Sequence, residues 1–188
     1  MLNRIPAVVL LTMAVLLIAA SCRAEVYRNE EYGIDLQSPD GVLVCRQPEE
    51  QHDHGVQLLW GTVDRKHCFD FKQTRYIDIY ADYNTADDTM HLPDFLKSQC
   101  VDVAKGPCGR PPDGLEITGL PSAAARVDLP DRWTDIIVVT QAGTPDPDFD
   151  PSVPTVNYTL TLHTKVKYLE EDLCVFRVIL QMIRINPD

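Results

Sequence analysis

The sequence predicts an α+β domain, in which a mostly antiparallel β-sheet is flanked by a short central helix and a long C-terminal helix. Three observations predict this class. Short segments between residues 32 and 164 alternate apolar and polar side chains, which is typical of half-buried strands. One segment near the middle and one at the end repeat apolar residues at helical spacing instead. The later strands follow one another closely enough for hairpin connections.

The predicted strands fall on both sides of the central helix. The early strands are residues 32–36, 42–45, 56–60 and 76–80, and the later strands are 115–117, 123–129, 133–140 and 156–164. Residues 144–154, between the last two strands, contain four prolines and three aspartates and have no apolar period. We therefore expect a long exposed loop there.

Two helices are predicted. The central helix covers residues 92–103 and carries Pro93 in its first turn, where a missing backbone N–H costs nothing. The C-terminal helix covers residues 167–185, and its apolar side chains recur every three or four positions. Acidic residues crowd its first turn, which suits the helix dipole.

Residues 1–24 have the three-part layout of an export signal. Arg4 precedes an apolar run at residues 7–20, and small residues continue to Ala24. The run is shorter than a membrane span. Cleavage after Ala24 would leave one domain, residues 25–188, in the periplasm or outside the cell. The alternative is a lipobox that ends at Cys22, whose lipidation would anchor the domain to a membrane.

The predicted mature domain is strongly acidic. Residues 1–24 carry two of the 17 basic residues and none of the 28 acidic ones, so 15 basic residues face 28 acidic ones and the formal charge is −13. Nucleic acid and anionic membrane surfaces would repel such a domain. The charge favours a basic protein or a cation as partner, although solubility alone would also account for it.

Five cysteines remain in the mature domain, and their spread favours disulfides over metal thiolates. They are Cys45, Cys68, Cys100, Cys108 and Cys174. The sequence does not fix their pairing, but Cys100 with Cys108 would close a tight loop and Cys45 with Cys68 would join neighbouring strands. The odd number leaves one thiol. Cys174 is the candidate. It borders the polar side of the predicted C-terminal helix, where it would be semi-exposed, but we expect an inert buried thiol.

The histidines near residue 53 form the most chemically suggestive cluster. His52 and His54 occupy alternate positions, so they point the same way in an extended segment. His67 from a neighbouring strand would complete a zinc or copper site. The simpler interpretation is a polar turn whose histidines are satisfied by hydrogen bonds or solvent.

Short motifs at both ends of the domain carry a family resemblance. The pattern Tyr27-x4-Tyr32-Gly33-Ile34, followed by a Pro-x-Gly turn, resembles the first strand and turn of the PsbP-like proteins. Residues 158–162 and the helix after them are similar to its last strand and closing helix. The resemblance implies a sheet flanked by helices and a binding or scaffold role, and it brings no catalytic residues. The cysteine-rich centre departs from the pattern.

Three functional hypotheses follow, because no stretch matches a specific catalytic motif. The first is an exported envelope protein that neutralises a basic partner, such as an immunity protein or an inhibitor of a cell-wall hydrolase. Its predicted contacts lie in the loop, where Asp146, Asp148 and Asp150 flank Phe149. The second is a periplasmic metal-binding protein that uses the histidine cluster. The third is a hydrolase whose catalytic residues are dispersed in sequence.

Overall fold

The computed structural model describes residues 25–47, 51–61, 64–71, 74–84, 89–145, 147–148 and 150–186. These residues form nine strands and two α-helices. The strands are β1 (Val26–Asn29), β2 (Ile34–Gln37), β3 (Val42–Arg46), β4 (Gly55–Trp60), β5 (Tyr76–Tyr83), β6 (Ser122–Asp128), β7 (Trp133–Ala142), β8 (Val156–Lys165) and β9 (Arg184–Ile185). The helices are α1 (Leu92–Ser98), which continues as a π-helical turn over Gln99–Val103, and α2 (Leu169–Met182).

Two antiparallel sheets form the frame of the protein. The larger sheet has six strands in the order β3-β4-β5-β8-β7-β6, and the smaller has three in the order β1-β2-β9. Every pairing in both sheets is antiparallel. The predicted α+β class, with a mostly antiparallel sheet, a central helix and a C-terminal helix, is confirmed.

The main core lies between one face of the larger sheet and a layer made of α2 and the smaller sheet. Ile79 and Leu160 from the sheet, Phe176 from α2 and Leu36 from β2 all belong to it, and none is more than 1% exposed. Full burial of each such side chain contributes roughly 1.5–3 kcal/mol. This core positions β5 and β8 at the centre of the protein.

The opposite face of the larger sheet is only partly covered. α1 packs over β6 and β7, where Phe95 contacts an apolar cluster with Val127, Ile137 and Val139. Beyond the edge of α1, the face continues over β8 and β5 with polar side chains. A cleft therefore opens between α1 and the two central strands.

A buried carboxylate attaches α2 to the sheet. Asp172, which is 0% exposed, accepts hydrogen bonds from Trp60 Nε1 at 3.0 Å, from Arg75 Nη1 at 2.9 Å and from the Thr164 hydroxyl. The Arg75 guanidinium also lies 4.2 Å from the centre of the Tyr168 ring. Asp172 thus does more than complement the helix dipole, since its loss would leave the half-buried Arg75 guanidinium without its partner.

The structure corrects some of the predicted elements. Residues 115–117 are not a strand, although Leu115 and Ile117 are buried in the main core. The C-terminal helix ends earlier than predicted, because Ile183 turns to an extended conformation with φ −64° and ψ 137°. The chain then pairs with β2 through Arg184–Ile185. In these segments the sequence pattern predicts which side chains are buried, but not the conformation of the backbone that buries them.

Candidate binding cleft

The cleft has a floor of sheet and a roof of helix, and its volume is about 480 Å³. The floor comes from three register pairs of β5 and β8, and the roof comes from α1 and its π-helical turn. The lining residues are Asp78, Tyr80, Asp82, Tyr83, Met90, Phe95, Ser98, Gln99, Val103, Asn157, Thr159 and Thr161. The cleft therefore combines two carboxylates with aromatic, hydroxyl and amide groups.

The two-residue period of β5 determines which side chains reach the cleft. Ile77, Ile79 and Ala81 point into the main core, where none is more than 1% exposed. Successive side chains of a strand point to opposite faces, so Asp78 and Tyr80 face the cleft. An apolar strand buried on one face thus carries an acidic, aromatic row on the other.

Asp78 is the most perturbed acid in the cleft. Burial disfavours the ionised form and raises the pKa of its carboxyl from 3.8 to about 6. Among the described residues, none donates a hydrogen bond to this carboxyl or forms an ion pair with it. Its carboxylate therefore lies in the cleft with a hydrogen-bonding capacity that no described residue uses.

Two exposed tyrosines lie at the mouth of the cleft. Tyr80 is 40% exposed and Tyr83 is 48% exposed. Burial and the neighbouring acids Asp82 and Asp78 raise the pKa of Tyr80, and burial together with Glu31 raises that of Tyr83. Both phenols therefore stay protonated at neutral pH, and their hydroxyls bond to neighbouring acids: Tyr83 donates to Glu31 Oε1 at 3.3 Å, and Tyr80 is hydrogen-bonded to Asp82.

One end of the cleft is fixed by amide hydrogen bonds. The Asn84 amide group donates to the carbonyl oxygens of Met90 at 3.2 Å and Pro154 at 3.1 Å, and its oxygen accepts from the Met90 N–H at 2.9 Å. Gln141 Nε2 donates to the same Met90 carbonyl at 2.6 Å and to Asn157 Oδ1 at 2.7 Å. The start of α1 is thereby held against the ends of β5 and β8.

The predicted histidine pair lies beside the cleft. The rings of His52 and His54 are 4.6 Å apart, and the Tyr32 hydroxyl lies 3.3 Å from His52 Nε2 and 3.2 Å from His54 Nδ1. His52 Nε2 also lies 3.1 Å from Glu31 Oε1. His54 stacks on Tyr80 of the cleft, with the ring centres 5.2 Å apart. The pair thus supports the aromatic wall of the cleft.

His67 does not join this pair. It closes the 3₁₀ turn of Arg65–His67, where its Nδ1 accepts a hydrogen bond from the backbone N–H of Asp64 at 3.4 Å. The described part of the chain holds no group of three or more histidine, cysteine or acidic side chains able to hold a metal ion. The predicted three-histidine site is therefore not assembled.

The predicted contact loop reaches the same end of the molecule as the cleft. Asp146 and Phe149 lie outside the described residues. Asp148 is exposed, and Asp150 accepts hydrogen bonds from the Ser152 hydroxyl at 2.6 Å and the Ser152 N–H at 2.9 Å, which lower the pKa of its carboxyl. Asp150 Oδ2 also lies 3.7 Å from His91 Nε2, at the start of α1.

The cysteines form two disulfide bonds, Cys45–Cys68 and Cys100–Cys108. The prediction of disulfide bonds is confirmed, although Cys68 lies in the connection between β4 and β5 and not on a neighbouring strand. Cys174 is free and exposed, so the expectation of a buried thiol was wrong. Disulfides of this kind are consistent with an exported protein. No described helix has the length and apolar character needed to span a membrane.

Sequence reasoning missed a second ionisable pair on the open face of the sheet. His163 Nδ1 lies 2.6 Å from Asp135 Oδ1, and both residues are 9% exposed. The His163 ring is stacked between Tyr76 and Trp133, with ring centres 4.9 and 4.5 Å away. These residues pair across β5, β8 and β7, so the signal needed to find them was the strand register.

The architecture is that of the PsbP-like fold class, and the disulfides are consistent with export. One solved structure that it resembles is cyanobacterial PsbP (CyanoP) from Synechocystis sp. PCC 6803, with a TM-score of 0.50 and 12% sequence identity. The match covers 88% of this chain and 94% of that one. The predicted resemblance in fold is thus confirmed over most of the chain. The sequence matches no family profile, and no curated protein is significantly similar to it.

Proposed function

We propose that this protein is an exported binding protein that recognises a basic protein and blocks it, as an immunity protein or an inhibitor of a cell-wall hydrolase does. The acidic, aromatic cleft between α1 and the sheet carries the proposal. Protein interfaces draw their affinity from a few buried aromatic or cationic anchors and their encounter rate from complementary charge. The cleft supplies aromatic anchors and negative charge in one place.

The aromatic part consists of Tyr80 and Tyr83. Both are large, partly apolar and exposed, and their hydroxyls are held by the acids Glu31 and Asp82. Tyrosine is enriched in interface hot spots because it buries a large area at a small cost in side-chain entropy. His54 stacks behind Tyr80 and reduces the number of conformations that this ring must lose on binding.

The charged part extends beyond the cleft. Asp78 and Asp82 line it, Glu31 lies beside Tyr83, and Asp148 and Asp150 lie in the loop near the start of α1. The charge of −13 on residues 25–188 adds long-range attraction for a basic partner. A basic cell-wall hydrolase would therefore be steered to this end of the molecule.

The test is surface-binding kinetics against a panel of basic wall hydrolases and the enzyme encoded beside this gene. Tyr80→Ala should mainly speed dissociation. The loss of binding free energy should be about 1–2 kcal/mol, or more if the ring is a hot spot. Tyr168→Ala is the matched control, since Tyr168 lies against Arg75 and not in the cleft. Failure of every hydrolase to bind at micromolar concentration would overturn the proposal.

The loop has its own arm in the same experiment. Changing Asp146, Asp148 and Asp150 to Asn should slow association and flatten its dependence on salt, because these charges act mainly on the encounter. Phe149→Ala should instead speed dissociation if its ring is an anchor. If both loop variants bind with wild-type kinetics, the loop is not part of the contact surface, and the cleft remains as that surface.

A further inference from the structure

We infer that the cleft accepts the side chain of one lysine or arginine of the partner, with its cationic group against the carboxylate of Asp78. This inference rests on the proposed function and names the contact at its centre. The cleft is a concave site with a volume of about 480 Å³, which is enough for a long basic side chain and the water that accompanies it. The charge, the shape and the unused carboxylate all point to this occupant.

The charge of the lining is one-sided. The cleft is lined by the carboxylates of Asp78 and Asp82, and none of the described residues that line it is a lysine, arginine or histidine. Most acids inside a protein have a partner, because an ionised carboxylate loses hydration on burial. Asp78 has no such partner in the described part of the chain. A cation from outside would supply the missing interaction.

The walls suit the two parts of a basic side chain. Phe95, Met90 and Val103 offer apolar surface to an aliphatic stem, as lysine and arginine stems prefer. Thr159 and Thr161, which are the register neighbours of Tyr80 and Asp78, offer hydroxyl oxygens to N–H donors.

Tyr80 adds attraction for a cation. Its ring is part of the lining, and its neighbours Asp78 and Asp82 on the same face of β5 are both acidic. A cation over a tyrosine ring is attracted by the negative face of the π system. The desolvation that raises the pKa of Asp78 also strengthens its attraction for a cation that enters the same site. Neutral side chains of the same length would lose both interactions.

The experiment follows backbone amide signals of the ¹⁵N-labelled protein by NMR. The probe is the capped peptide acetyl-Gly-Lys-Gly-amide, and its control is the same peptide with an acetylated lysine ammonium. We expect the lysine peptide to shift the amides of β5, β8 and α1 that border the cleft. The acetylated peptide should not shift them, because it keeps the stem and loses the charge.

Two variants make the result specific. Asp78→Asn removes one charge from the cleft, and Asp40→Asn removes one charge from an exposed turn outside it. The first should abolish the shifts and weaken binding to a hydrolase partner at least about tenfold, whereas the second should do neither. The spectrum of each variant reports whether it is folded.

The outcomes separate the inference from the proposed function. Absence of cleft shifts, equal shifts with the acetylated peptide, or wild-type shifts in Asp78→Asn overturns the inference. If a hydrolase binds while the peptide arm gives one of these results, the proposed function survives without the inferred contact. If the peptide arm succeeds and no hydrolase binds, the cationic site stands and the proposed function fails.

Discussion

Asp78 should destabilise the folded protein at neutral pH, and Asp78→Asn should therefore raise the free energy of unfolding. The reason is that folding places the ionised carboxylate in a cleft where no described residue pairs with it. Asparagine keeps the shape of the side chain but carries no charge, and its amide replaces one acceptor oxygen by an N–H donor. Residues placed to bind a ligand commonly lower the stability of the free protein in this way.

The size of the effect follows from the pKa. Burial raises the pKa of Asp78 from 3.8 to about 6, which is a shift of about 2 pH units. Each unit corresponds to 1.36 kcal/mol, so the shift sets an upper limit of about 3 kcal/mol. Solvent at the open side of the cleft screens part of this, and we expect about 1–3 kcal/mol. In a domain of this size, that corresponds to about 2–12 °C in Tm.

The effect has a defined dependence on pH. The folded state holds the Asp78 proton to a higher pH than the unfolded state does. The protonated Asp78 carboxyl therefore favours the folded state. This stabilisation is fully present below pH 3.8 and is lost as the pH rises through about 6. Above that pH the wild-type protein carries the whole cost. The difference between Asp78→Asn and wild type should thus be small in acid, grow with pH and then level off.

Urea unfolding with the disulfides intact, at several pH values between about 4 and 8, measures the free energy of unfolding of Asp78→Asn and of wild type. Asp40→Asn, in an exposed turn, serves as the control for the loss of one charge. A variant that is no more stable than wild type at pH 7.5, or whose difference from wild type does not change with pH, would refute the reasoning about Asp78.

Three further predictions concern processing, disulfides and metal. Intact mass of protein from the envelope fraction should show loss of the first 21–24 residues, and a chain that still starts at Met1 would refute export. Replacing Cys45 and Cys68 by Ala should cost about 2–5 kcal/mol in urea unfolding, and about 1 kcal/mol more than removing the other disulfide, because the sequence separations are 23 and 8. Zinc titration should give no more heat for wild type than for His52→Ala/His54→Ala; heat lost in that variant would restore the metal hypothesis.

The fold was predictable where local pattern and burial agree. β5 was recognised because Ile77 and Ile79 alternate with polar residues, and α2 because Leu173 and Phe176 recur at helical spacing. Residues 115–117 alternate in the same way, yet they form no strand, because an alternating pattern records which side chains are buried and not whether a neighbouring strand is present. Pairing partners are non-local, and a single sequence does not contain them.

The candidate site was only partly predictable for the same reason. His52 and His54 are adjacent in sequence, so their proximity could be foreseen. Asp78 looked like any polar residue of a half-buried strand, since its role depends on Thr161 of β8 and on the helix that passes over it. The contact between His163 and a distant aspartate likewise exists only through strand register.

The roof of the cleft depends on the redox state of the compartment. α1 continues as a π-helical turn that contains Cys100. The disulfide bond joins this turn to Cys108. The next residue, Gly109, forms a β-bridge with Arg126 of β6. In a reducing compartment this bond would be open, and in an oxidising one it would form. We therefore expect the cleft to take its final shape only in an oxidising compartment. Under the proposed function, the protein would then stay inactive until it shares a compartment with its partner.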